Sequence, residues 1–168
     1  MLRLGVPKKE KLQIDQSGKI EQTNVNTVVA LANGKYFTVV LRKKDKRIIE
    51  KIFKKIGKIK SYPYIVFASL VAILLKEASV KQRVVVDREY IGHENTIRER
   101  VLHYLLVLGE NHEPMIVFGH VGKLSRAHDT AAKVGSKKIK PNKIVSIEEV
   151  LELVLEVKPQ KKTEVIKD

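Results

Sequence analysis

Two stretches of this chain bring acids to the ends of apolar runs. In residues 82–90, QRVVVDREY, the uninterrupted Val84, Val85 and Val86 lead straight into Asp87 and Glu89. A β-branched run of that kind reads as a strand buried on both faces, so Asp87 falls where a buried strand reaches the sheet edge. A carboxylate there is costly unless a cation pairs with it. From Met115, MIVFGHVGKLSRAHDTAAKVGSKK repeats the arrangement: an apolar strand, a Gly-His-Val-Gly turn, then a helix carrying His128 and Asp129. In a chain of formal net charge +14, acids presented in this way suggest a metal-dependent enzyme acting on a polyanion.

The elements that position these acids follow from periodicity. Residues 11–22 alternate around Gln16-Ser17-Gly18, which reads as a bulge or a strand end. Residues 27–32 form a second strand, and Asn33-Gly34 is a two-residue hairpin signal leading into a third over 36–41. A helix then starts at Asp45 as N-cap, with Ile48, Ile49, Ile52, Phe53 and Ile56 on one face and Lys46, Arg47, Lys51, Lys54 and Lys55 on the other. Residues 61–78 form a helix apolar almost all round, which places it against the sheet beneath other elements. The strand ending at Asp87, a helix over 93–108, a strand over 115–118 and a helix over 125–134 follow. After a Lys-rich connection over 137–143, Ser146 and Glu149 make a capping box for a last helix through Val157. The order β-β-β-α-α-β-α-β-α-α implies a mixed α/β sheet, an antiparallel meander plus further strands, with helices on both faces.

The chain has 168 residues, 43% of them apolar, enough for one core: a single domain over 1–158 with a C-terminal tail over 159–168. With no Cys, disulfides and thiolate metal sites are excluded. The N-terminal MLRLGVPKKEK lacks the apolar core of a signal peptide, and the longest uncharged segment, 61–75, is 15 residues long. That falls short of the roughly 20 needed to span a bilayer. A soluble, cytoplasmic protein without a membrane partner is expected, with nucleic acid as the first candidate for its anionic partner. Homo-oligomer formation is left open.

The order and its acids resemble the ribonuclease H-like superfamily, on LQIDQSG around Asp15, VVVDREY around Asp87 and FGHVGKLSRAHDTAAK around Asp129. In that fold the meander carries the first catalytic Asp, a later strand ends in the second, and an acid on a final helix completes the site. The Val-Asp-x-Glu-Tyr run is also similar to that of archaeal proteins. The resemblance covers roughly residues 11–135 and implies metal ligation by Asp15, Asp87 and Asp129, with His120 as an auxiliary histidine. Where ribonucleases H carry a Glu on the first long helix, this chain offers only Glu77 at the helix's far end. The role then falls to Glu89 or Glu94, or is unfilled.

Phosphodiester cleavage needs an aligned water and charge stabilisation at the phosphate, which Mg²⁺ or Mn²⁺ held by three or four carboxylates can supply. Each residue also has a plainer reading. Asp15 can shape a turn, Asp87 can cap the following helix, Glu94 can be a first-turn acid, and Asp129 can pair with Arg126 or Lys133. His120 can be a solvated loop residue, and His128, next to Asp129, is expected to point elsewhere on the helix. Glu89 shares the face of Asp87 only if the strand continues past Asp87.

Two basic runs flank these acids in the order of elements: ten Lys or Arg over 42–60, and seven over 123–143 including Lys123, Arg126 and Lys133. Such runs can bind phosphates without reading sequence, Lys51, Lys54 and Lys55 among them, or can be solvated faces. With five Tyr, four Phe and no Trp there is no extended stacking platform, but Tyr36, Tyr62, Tyr64 or above all Tyr90 could stack a base. The expectation is a divalent-metal nuclease, an exonuclease on single-stranded DNA, with RNA as an alternative substrate. The alternatives are an inactive nucleic-acid-binding module and a basic subunit of a nucleoprotein complex.

Overall fold

The computed structural model describes residues 11–123 and 125–156, so the expected tail and the N-terminal segment lie outside the described residues; the last helix ends at Val154, capped by Leu155, short of the expected Val157. A meander of β1 (Leu12–Ser17), β2 (Thr27–Ala32) and β3 (Phe37–Leu41) is followed by α1 (Lys43–Lys55) and α2 (Tyr62–Glu77). Then come β4 (Val84–Asp87), α3 (Glu94–Val107), β5 (Ile116–Gly119), α4 (Arg126–Gly135), β6 (Lys143–Ile144) and α5 (Ile147–Val154). The strands form one mixed sheet in the order β5-β4-β1-β2-β3-β6. β2 runs antiparallel to β1 and β3, while β4 lies parallel to both β1 and β5, and β6 parallel to β3.

The pleat sorts side chains between two unequal layers. Leu12, Ile14, Val29, Leu31, Val39, Leu41, Val84 and Val86 face a large core that also contains the buried residues of α1, α2, α3 and α5. α2 lies at its centre, against β2 and β3 and beneath α3 and α5. Leu70, Val71, Ala72 and Leu74 have no exposed surface, which accounts for its apolar circumference. Each large apolar side chain buried there contributes about 1.5–3 kcal/mol relative to exposure. The opposite face carries α4, whose Ala127, Ala131 and Val134 pack on Val28, Ala30, Ala32, Val40 and Val85. Small residues at 127, 131 and 135 let this helix approach closely: a Cβ on Gly135 would lie 3.3 Å from Ser17 Oγ.

Several local expectations are corrected. Of the two readings of Gln16-Ser17-Gly18 the strand end holds, since β1 stops at Ser17 and Gly18 takes φ +71°, where any Cβ would strike the Asn26 carbonyl. Asn33 and Gly34 both take positive φ, but the strands they join leave residues 33–36 in the turn rather than two. Arg42, not Asp45, is the N-cap of α1; Asp45 is buried in the first turn and accepts a hydrogen bond from Arg42 Nε at 3.3 Å. The Lys-rich connection holds the short strand β6, which pairs at Val39 and Val40.

Lys46, expected on the solvated face, is fully buried. Its ammonium donates to the carbonyls of Lys19 (3.1 Å) and Gln22 (2.6 Å) and to Thr27 Oγ1 (2.9 Å). It thereby fastens the β1–β2 connection, residues 18–26, onto α1. Burial lowers its pKa to about 8. Among the described residues no helix is long and apolar enough to cross a membrane.

Candidate metal centre

Asp15 and Asp87 come together because β1 and β4 are parallel neighbours in register. Ile14 pairs with Val86, and both face the large core. The next residue on each strand therefore points to the α4 side. Asp87 Oδ1 accepts a hydrogen bond from Val121 N at 2.8 Å, so the Gly-His-Val-Gly turn after β5 fixes this carboxylate through its backbone. The strand does stop at Asp87, yet Glu89 still joins the site. A tight turn, Glu89 N donating to Asp87 O at 3.0 Å, folds its side chain back. One carboxylate oxygen from each of Asp15, Asp87 and Glu89 lies within 4.8 Å of the other two.

Three carboxylates this close repel one another, and the surroundings neutralise them only in part. Burial pushes the Asp15 pKa above the ordinary carboxylate range; the Asp87 charge adds to the rise, and a hydrogen bond from His128 opposes it. Burial also raises the Glu89 pKa, helped by its hydrogen bond to Asp87 and by the Asp87 charge, and opposed by Lys19. The Lys19 ammonium is 3.6 Å from Glu89.

The third element of the site is α4. Ser125 caps it by accepting from His128 N at 3.0 Å, and His128 Nδ1 meets Asp15 Oδ2 at 2.8 Å. Asp129, the residue expected here, is exposed on the outside of the helix and pairs with Lys133 at 2.8 Å. The exchange follows from helix geometry. His128 lies beside the sheet-facing stripe of Ala127 and Ala131, and Asp129 is turned a further ~100° away from it. That stripe was the signal in the sequence that marked His128 as the inward residue.

The other expected residues are dispersed. Glu94 accepts from Gly92 N at 2.8 Å in the first turn of α3, apart from the acidic cluster. His120 is exposed in the turn after β5. Tyr90, expected to stack a base, packs its ring 5.4 Å from Phe67 and donates its hydroxyl to Glu21 at 3.2 Å. Tyr62 is buried and Tyr64 stacks on His93 at 4.0 Å; Tyr36 is exposed and accepts from Arg126 at 3.0 Å. Lys51, Lys54 and Lys55 are exposed on α1, whose buried residues belong to the core on the opposite side of the sheet from α4, and Lys54 pairs with Glu50 at 2.8 Å. Lys123 is exposed just before α4.

Hard carboxylate oxygens suit Mg²⁺ or Mn²⁺, and burial first, with the charge of Asp87 added, disfavours the ionised forms of Asp15 and Glu89 that a divalent cation would favour. The donor set therefore fits a divalent cation. The chain matches no known protein family, and neither the curated proteins nor the solved structures hold a match to it.

Proposed function

We propose that this chain is a divalent-metal-dependent nuclease of the ribonuclease H-like kind, acting on single-stranded nucleic acid, with DNA favoured over RNA and an exonucleolytic mode favoured over internal cleavage. The observation that carries the proposal is the convergence of Asp15 within β1, Asp87 at the end of the parallel neighbour β4 and Glu89 in the turn after it, within 4.8 Å, in a protein of net charge +14. The meander with an acid on its first strand, a second acid ending β4 and a helix folded over both supports the fold assignment.

Asp15, Asp87 and Glu89 would hold Mg²⁺ or Mn²⁺, which when bound supplies activation of water and charge stabilisation at the scissile phosphate. The chain's own groups prepare the site. Val121 N orients Asp87, and His128 orients Asp15 while remaining partly exposed. Because Asp15 and Glu89 hold protons more tightly than free carboxylates, cation loading is coupled to proton release. Lys19 beside Glu89 limits the residual repulsion. A cytoplasmic location is part of the proposal; among the described residues no helix is long and apolar enough to cross a membrane.

One observation favours a second reading, a binding module without turnover: the helix position expected to carry an acid presents His128 in its place. End-labelled single strands, duplexes and RNA/DNA hybrids incubated with Mg²⁺, Mn²⁺ or EDTA distinguish the two. Metal-dependent shortening of single strands is expected. Salt-sensitive binding without cleavage under any of these conditions would establish the binding module instead.

A further inference from the structure

A groove lies beyond the acidic centre along β1 and α4, and none of the centre's own residues lines it. Ser17 lies two residues beyond Asp15 on the same face of β1, and Ala132 and Ser136 lie one and two turns beyond His128 on the same side of α4. All three line a concavity of about 580 Å³ between the C-terminal half of α4 and the β1–β2 connection. Gln22, Asn24 and Asn26 add amides to its wall, Lys43 and Lys137 supply its charge, and no acid lines it. Both lysines are exposed, and neither is ion-paired among the described residues. An uncompensated pair of cations beside hydrogen-bonding amides suits successive phosphates of a flexible strand. The wall is held in place by Lys46, through its bonds to Lys19, Gln22 and Thr27.

Asn26, Gly135 and Lys137 also line the next concavity, about 380 Å³, whose floor of Val28, Val40 and Val134 is rimmed by Arg42 and Lys140. An apolar floor under a cationic rim suits a base with its phosphate.

We infer that the single strand runs from the acidic centre along this groove, with Lys43 and Lys137 on its phosphates and a base over Val28, Val40 and Val134. The inference rests on the nuclease reading of the same site, and it moves the substrate path away from the outer face of α1, where sequence alone placed part of it.

The test measures binding of a fluorescein-labelled oligothymidylate by anisotropy in EDTA across a salt series, for the wild type, K43Q/K137Q and K51Q/K55Q. Uptake of Mn²⁺ is measured separately by calorimetry. Loss of two phosphate contacts should lower the slope of log K against log salt by about 1.4, at about 0.7 per phosphate for a single strand. Affinity in K43Q/K137Q should fall about tenfold or more, with Mn²⁺ uptake unchanged and K51Q/K55Q indistinguishable from wild type. Unchanged affinity and slope in K43Q/K137Q, or an equal loss in K51Q/K55Q, overturns the path. A wild type that takes up no Mn²⁺, yet loses affinity and slope in K43Q/K137Q, removes the nuclease reading and keeps the groove as the binding surface.

Discussion

Asp87→Asn separates a functional acidic cluster from a structural one, because it should stabilise the metal-free protein while removing its response to metal. Asparagine keeps the Oδ1 acceptor that Val121 N uses at 2.8 Å, so the turn after β5 stays anchored. What disappears is a negative charge within 4.8 Å of the Asp15 and Glu89 oxygens. Two unit charges that far apart repel by about 1 kcal/mol in bulk water and about 3 kcal/mol at an effective dielectric near 20. The metal-free variant should therefore gain about 1–3 kcal/mol at pH 7, or roughly 2–4 °C in Tm per kcal/mol for a domain of this size. The gain has a pH signature. Asp15 and Glu89 have raised folded pKa values, so the folded state binds protons more tightly and wild-type stability falls as pH rises above about 4. Lowering the pH favours the protonated forms of both groups, so the advantage of the variant should shrink. Mn²⁺ at about 100 times its Kd adds about 2.7 kcal/mol to a protein that binds it only when folded. The wild type should receive this and the variant little, so their stability order in EDTA should reverse or close in Mn²⁺. Thermal unfolding of both proteins at pH 4–8, with EDTA or Mn²⁺, reads all of this. A variant less stable than wild type in EDTA and equally shifted by Mn²⁺ would refute the reasoning and leave Asp87 as an anchor for the turn.

Further predictions concern His128, Asp129 and Lys46. His128→Ala should lower Mn²⁺ affinity about 10- to 100-fold by calorimetry, because Asp15 loses the partner that orients it. Asp129→Asn should leave affinity unchanged and shift stability by no more than about 0.5 kcal/mol, since it removes only an exposed pair with Lys133; the opposite ranking would return the site to Asp129. Lys46 has a folded pKa of about 8 against an ordinary value of 10.5, so the unfolded state binds more protons between those values and stability should rise with pH across that window. The gap is worth at most about 3 kcal/mol. Lys46→Met should lose that dependence in denaturant titrations at pH 7–10.5 and expose residues 18–26 to faster amide exchange, as their carbonyl anchors are released. A parallel pH profile in the variant would show that the buried ammonium does not titrate there.

What the sequence revealed and what it withheld divides along the range of the interactions involved. β2 was legible because its six residues are all buried and bounded by a Gly18–Asn26 connection and by Asn33-Gly34. α2 was legible because an apolar circumference has one stable place, between a sheet and other helices. Asp87 stood out because three valines lead to it; Asp15 was named through the resemblance, and its place beside Asp87 followed once β1 and β4 paired in register. One failure came from reading charge as exposure. Lys46 sits four residues from Glu50 and next to Arg47 in a run that looks solvated, yet its role is set by two carbonyls and a hydroxyl from the β1–β2 connection. Asp129 was expected in the site because the resemblance to ribonucleases H puts an acid on the final helix, when the small residues at 127 and 131 had already fixed which side of α4 meets the sheet. In a helix that approaches closely through alanine and glycine, the polar residue beside the small stripe reaches the site, whatever its neighbour's chemistry. For this chain that rule selects His128, and with it a centre of three carboxylates and one imidazole contact in place of the four acids that residue type alone suggested.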